Sequence, residues 1–114
     1  MTKYFAALDQ VFAALGEPTR RGIVERLTYG EMAAGDLAAP TGLRLPTVMR
    51  HIAVLEEAGL IVTRKDGRQR ICALRPEALA TGMDWMERQQ DCWNARLGRL
   101  ENFVMQQHKD DIHE

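Results

Sequence analysis

Apolar residues recur at helical spacing over residues 4–15, where Phe5, Leu8, Val11, Phe12 and Leu15 share one side of a helix that Gly16 ends. Pro18 stands where a second helix begins, in the first turn that tolerates a missing N–H. Ile23, Val24 and Leu27 form its stripe, and Gly30 closes it. Gly22 inside this helix costs roughly 1 kcal/mol against alanine, so it marks either close packing or simple tolerance. A short helix is expected over 34–39, with Leu37 in the core and Pro40 and Gly42 stopping it. Over 45–58, Leu45, Val48, Ile52 and Leu55 make an inward stripe, and Gly59 is the expected residue past the helix end. The period then changes. Residues 60–65 and 69–74 are β-prone runs around Asp66-Gly67, a strong hairpin signal because both turn positions tolerate positive φ. Pro76 opens a short helical stretch. From 81 to 107 runs a long helix with Met86, Trp93, Leu97, Leu100 and Val104 on one stripe. Residues 109–114 read as a polar tail that frays.

These elements predict a mainly α fold with a two-stranded β-wing, in the order α/α/α/α/β/β/α. The helix 34–39, the connection Thr41-Gly42-Leu43 and the helix 45–58 form a helix-turn-helix, and the hairpin is its wing. One domain is expected over 1–108, serving DNA binding and dimerisation, followed by the tail 109–114. A helix of this kind fits the major groove, and a cationic hairpin beside it reaches phosphates or the minor groove.

Length and charge refine this picture. A chain of 114 residues has room for one modest core. Its formal net charge of −1 argues at first against a nucleic-acid partner. The total hides an asymmetry: residues 1–75 carry 11 basic and 8 acidic side chains, residues 76–114 carry 4 basic and 8 acidic. Random scatter is one reading of that contrast, and a partner surface is the other. The wing tip concentrates the cations as Arg64-Lys65-Asp66-Gly67-Arg68-Gln69-Arg70. No apolar run is long enough to span a membrane, and the N-terminus lacks the apolar stretch and cleavage site of a signal peptide. Cys72 and Cys92 suggest neither a disulfide framework nor a zinc motif and read as buried, inert thiols. A cytoplasmic location fits best.

The run Glu17-Pro18-Thr19-Arg20-Arg21, the stretch Leu45-Pro46-Thr47-Val48-Met49-Arg50-His51-Ile52-Ala53-Val54-Leu55-Glu56-Glu57-Ala58-Gly59-Leu60-Ile61 and the wing Asp66-Gly67-Arg68 resemble the ArsR/SmtB winged-helix repressors over roughly residues 5–105. Asp84-Trp85-Met86-Glu87-Arg88, with Trp93 and Arg96-Leu97, resembles a branch of that family without metal sites. The resemblance implies a homodimer, an imperfect inverted-repeat operator and autorepression. The family's metal sensors carry Cys-x-Cys in the first helix of the helix-turn-helix, where this chain reads Glu31-Met32-Ala33-Ala34-Gly35-Asp36-Leu37. Their other site falls here on Asp84, Met86, Leu97 and Leu100, and three of those four positions cannot coordinate zinc. Relatives usually have serine at the position of Arg44 and serine or threonine at that of Met49. Arg44 cannot cap the helix as serine does, and Met49 offers a thymine-methyl contact but no hydrogen bond.

The candidate DNA-binding residues are Arg20, Arg21, Arg44, Pro46, Thr47, Met49, Arg50, His51, Arg64, Lys65, Arg68 and Arg70. Arg50 suits a guanine edge, or else a phosphate. Thr47 and His51 can reach a base or a phosphate. At least one of Arg20 and Arg21 is expected at the DNA backbone, the other in an internal ion pair. The wing cations supply salt-sensitive affinity, unless alternation leaves Arg68 and Arg70 on a merely solvated face. Phe5, Leu8, Phe12, Trp85, Met86, Trp93, Leu97, Leu100 and Val104 are read as a dimer interface, because the terminal helices carry more apolar surface than one core needs. A ligand pocket and a plain core are the competing readings of that stripe. His108, Asp110, Asp111 and His113 are either a surface metal site or a frayed tail. No cofactor is expected and no effector is identified. The expected partners are double-stranded DNA and a second copy of the chain. An effector-responsive sensor, and a winged-helix module that binds only proteins, are the alternatives. No glycine-rich phosphate loop, nucleophile elbow or clustered carboxylates suggest an enzyme.

Overall fold

The computed structural model describes residues 3–112, with side chains as far as residue 108. The elements run α1 (Lys3–Leu15), α2 (Pro18–Leu27), β1 (Met32–Ala33), α3 (Ala34–Ala38), α4 (Leu45–Glu57), β2 (Ile61–Asp66), β3 (Gln69–Leu74) and α5 (Pro76–Ile112), with a 3-10 turn over Ala39–Thr41 between α3 and α4. The chain divides into two compact units, one ending at Gly82 and the other starting at Met83.

Each helix of the first unit starts and stops for a local reason. Glu17 caps α2 by accepting from the backbone N–H of Arg20 at 2.9 Å, and Pro18 occupies the first turn. Pro40 does not simply end α3; it sits in the 3-10 turn that continues it. Ala58 caps α4, and Gly59 follows in the left-handed region at φ 77°. Gly59 N donates to Glu56 O and Leu60 N to Leu55 O, both at 3.0 Å, which closes the helix in a Schellman motif. The apolar contact that accompanies this motif is supplied by Leu55 and Leu60, both fully buried.

The core of the first unit joins Val11 and Ala14 of α1, Ile23, Val24 and Leu27 of α2, Leu37 of α3, Val48, Ile52 and Leu55 of α4, and Leu60, Ile61 and Cys72 around the sheet. Leu45 was expected with the α4 stripe but is 47% exposed. It is the first residue of that helix, a turn short of Val48, where the core beneath has ended. Gly22 has open space around it, so tolerance and not close packing explains a glycine there.

The hairpin forms as expected, with Asp66 paired to Gln69 across Gly67 at φ 63°. A third strand joins it. β1 pairs antiparallel with β3, Met32 opposite Cys72 and Ala33 opposite Ile71, giving the order β1-β3-β2. A strand of two residues is too short to show alternation, so the sequence pattern carried no sign of it. At the other end, the short helix after Pro76 and the long helix are one element of 37 residues, about 55 Å long at 1.5 Å per residue. Its backbone stays helical beyond residue 108 as far as Ile112.

Candidate nucleic-acid interface

The helix-turn-helix consists of α3, the 3-10 turn and α4. Gly42 turns the chain at φ 70°, a left-handed conformation that favours glycine. Thr41 fixes the turn on both sides: its hydroxyl donates to Ala38 O at 2.6 Å and accepts from Leu43 N at 3.0 Å. Arg44 is the N-cap of α4 and makes no side-chain cap, as its chemistry required. Its carbonyl accepts from Thr47 N and Val48 N, which leaves the guanidinium exposed at the helix start.

With Val48, Ile52 and Leu55 buried, helical geometry places Arg50 on the opposite side of α4. Pro46 and Arg50 are exposed and Thr47 half-buried on the outer side of the first two turns. Met49 is half-buried and packs on the core, so it offers DNA less surface than the other candidates. The last turn is acidic, with Glu56 and Glu57, so the N-terminal half is the part suited to DNA.

Glu56 has a separate task. Its Oε2 accepts from the backbone N–H of Thr63 at 3.2 Å and from the Thr63 hydroxyl at 2.8 Å. β2 is an edge strand, and this contact satisfies one of its donors while fastening the wing to α4.

Strand register sorts the wing cations. Ile61, Thr63 and Lys65 of β2 lie opposite Leu74, Cys72 and Arg70 of β3 and share the face that carries the core residues Ile61 and Cys72. Lys65 and Arg70 are therefore directly opposed like charges, an arrangement that destabilises a hairpin unless an anion lies nearby. Arg68, Gln69 and Arg70 line one groove of about 380 Å³ together with Leu45 and Met49 of α4 and Ala34, Gly35 and Asp36 of α3. Wing and recognition helix thus face a common space. Gln69 was missing from the sequence candidates; its place between Arg68 and Arg70 was the available signal.

Arg64 lies on the other face of the hairpin. Its Nη1 and Nη2 donate to Glu31 Oε2 and Oε1 at 2.8 and 2.9 Å. The hydrogen bond from Arg64 and its charge hold the Glu31 carboxyl below its ordinary range, and the same pair pushes Arg64 further up. Contrary to expectation, then, Arg64 is not one of the wing's free cations.

Arg20 and Arg21 are also engaged internally. Arg20 Nε donates to Ala14 O at 2.7 Å and Nη2 to Ala13 O at 3.2 Å, covering the C-terminal carbonyls of α1. Arg21 Nη1 donates to Leu15 O at 2.8 Å. Neither forms the expected internal ion pair among the described residues; both cap α1, where unsatisfied carbonyls attract cations. Arg20 Nη1 also lies 3.3 Å from His51 Nδ1. Arg26, which was not singled out from the sequence, donates to Leu37 O at 3.0 Å and Asp36 O at 2.9 Å and so fixes the end of α3. Of the candidate DNA-binding cations, Arg44, Arg50, Lys65, Arg68 and Arg70 are left with exposed charges in no hydrogen bond or ion pair among the described residues.

Of the residues read as a dimer interface, Leu8 is 4% exposed and belongs inside its own protomer. On α1 it falls one turn before Val11, on the inward side. Phe5 is exposed and Phe12 half-buried. In the second unit Met86, Trp93, Leu97, Leu100 and Val104 are all exposed along one side of α5, joined there by Phe103 and Met105 on its flanks; Trp85 is half-buried. Cys72 is buried, and burial raises its thiol pKa. Cys92 is exposed, against the expectation of two buried thiols. No group of three or more His, Cys, Asp or Glu side chains suited to a metal occurs among the described residues. The side chains of Asp110, Asp111 and His113 lie outside them.

Three short helices, a recognition helix and a tethered basic hairpin define a winged helix-turn-helix domain of the DNA-binding class. A helix-turn-helix domain family matches residues 15–64. The chain is 42% identical over 72 residues to the HTH-type transcriptional regulator Rv2034 of Mycobacterium tuberculosis, covering 63% of this chain and 67% of the relative. It is 32% identical over 79 residues to the transcriptional repressor SdpR of Bacillus subtilis, covering 69% and 88%. The crystal structure of an ArsR family transcriptional regulator matches with a TM-score of 0.77 at 39% identity, over 82% of this chain and 97% of that one. The chain belongs to the ArsR family of winged-helix transcriptional regulators. Among the described residues, no helix is long and apolar enough to cross a membrane.

Proposed function

We propose that this protein is a cytoplasmic, non-enzymatic, homodimeric repressor that binds an inverted-repeat operator, including that of its own promoter. The observation that carries the reading is the free cation set: Arg44 and Arg50 on the recognition helix, with Lys65, Arg68 and Arg70 on the wing. The N-terminal half of α4 enters the major groove. There Arg50 pairs with a guanine edge, Thr47 with a base or phosphate, and Pro46 packs against the groove. His51 reaches a base or phosphate through Nε2, and Met49 makes at most a partial apolar contact. Arg44 and the wing cations bind phosphates, with Arg21 at the periphery through donors that α1 does not use.

The dimer forms through the terminal helices. Met86, Trp93, Leu97, Leu100 and Val104 lie exposed on one side of a long helix, and such a stripe needs apolar cover. A second copy supplies it with two-fold symmetry, alongside Phe5, Phe12 and Trp85. Two recognition helices then sit about one DNA turn apart, ~34 Å. Residues 1–108 form the binding and dimerisation domain, and 109–114 add nothing to either task. Bound at a promoter, the dimer blocks polymerase. Metal is not required, because three of the four positions on α5 that bind it in the family's sensors are hydrophobic here, leaving Asp84 alone, and the first helix of the helix-turn-helix lacks the cysteine pair. A gel-shift with the chain's own upstream DNA tests the proposal: a specific shift at moderate salt supports it, and its absence rejects it.

A further inference from the structure

We propose that Glu31 is a specificity-determining residue of this DNA-binding surface: it is an internal counter-anion that withholds Arg64 from non-specific DNA. The inference rests on the DNA-binding reading above and adds a residue to it.

Arg64 differs from the other wing cations in position and in partner. Lys65 and Arg70 face each other on the hairpin side that carries Ile61 and Cys72, whereas Arg64 lies opposite Ile71 on the other side. Glu31, just before β1, takes both of its terminal nitrogens at 2.8 and 2.9 Å. Asp66, two residues further along the same face of β2, adds a second attraction. The pair is open to solvent, Arg64 at 54% and Glu31 at 52%. It is not a buried structural ion pair, and a phosphate can reach it.

A carboxylate and a phosphate compete for the same guanidinium fork. Non-specific affinity grows with every cation that releases counterions from the DNA backbone, whereas the α4 contacts to base edges do not depend on Arg64. Arg64 lies on the hairpin face away from Lys65 and Arg70 and does not line the groove that the wing shares with α4. A freed Arg64 therefore adds phosphate contacts in the loose registers of random DNA that the operator register does not use. Occupying it internally lowers the background more than the operator affinity. Specificity is a difference of affinities, and Glu31 acts on the unwanted side of it.

Fluorescence anisotropy on the intact protein, with the chain's own upstream DNA and with a random duplex over a salt series, tests this. E31Q is expected to steepen the salt slope on random DNA by about 0.9 per protomer and to lower the operator-to-random ratio several-fold. E31Q/R64Q, whose net charge equals that of the wild type, should restore the original slope. E25Q removes an exposed carboxylate elsewhere on α2 and should leave the slope unchanged. An unchanged E31Q slope, or an E25Q slope that steepens equally, overturns the proposal. So does an R64Q variant that flattens the slope as much as R68Q does. A wild-type protein without salt-dependent DNA affinity overturns the parent reading as well, whereas the other outcomes leave that reading standing.

Discussion

Arg20 Nη1 lies 3.3 Å from Nδ1 of His51, and the same guanidinium caps the C-terminus of α1. One side chain thereby joins α1, α2 and the middle of the recognition helix. Glu17 Oε2, which caps α2, is 3.7 Å from the same ring nitrogen. Both contacts are made by Nδ1, which leaves Nε2 as the ring nitrogen for an outside partner.

Arg20→Ala is therefore expected to cost stability. Losing two charged donors to α1 carbonyls should lower the unfolding free energy by about 2 kcal/mol, read from denaturant midpoints. The salt slope of DNA binding should stay at its wild-type value. Wild-type stability with a flattened slope would mean that Arg20 binds DNA phosphates instead.

The Glu17 carboxyl is held below its ordinary value of 4.5, first by the backbone N–H of Arg20 and more weakly by His51. A depressed acid stabilises the fold at pH above its unfolded value and loses that contribution as pH falls through the folded value. Glu17→Gln should thus be less stable than wild type at pH 7, with the gap closing below about pH 4. Thermal melts across that range check the sign, and a gap that widens in acid contradicts it.

Gly22 sits inside α2 with no atom near the position a Cβ would take, and its φ is not positive. Gly22→Ala should therefore stabilise the protein by about 0.5–1 kcal/mol. A lower denaturant midpoint would show that α2 needs the glycine.

Leu97 lies at the centre of the exposed α5 stripe. Leu97→Glu should convert the dimer to a monomer in sedimentation experiments. It should also sharply lower operator affinity, because the two half-sites are no longer held by one molecule. A dimer that survives this change would move the interface away from α5.

Much of this architecture was legible in the sequence, because strong local signals agreed. Gly42 and Gly59 mark turns with positive φ, Asp66-Gly67 marks the hairpin, and Val48, Ile52 and Leu55 mark the buried side of α4. Long-range pairing was what stayed hidden. Glu31 and Arg64 are 33 residues apart, and Arg20 and His51 are 31 apart. Composition reveals that a cation exists, but only the fold reveals whether it is spent internally. That is why Arg64, and one of Arg20 and Arg21, looked like free cations. Leu8 was misplaced for a related reason: periodicity finds an apolar side without saying whether the cover comes from its own chain.

The central claim is that Arg50 reads sequence while the wing supplies general affinity. The most direct measurement is the binding of wild type, R50A and R68Q to the chain's own upstream DNA and to single-base variants of its half-sites. R50A should lose about 1–3 kcal/mol and cease to discriminate at one base position. R68Q should weaken every duplex alike and flatten the salt slope by about one per protomer. If R50A weakens all sequences equally and keeps full discrimination at every position, α4 does not read bases through Arg50 and the account is wrong.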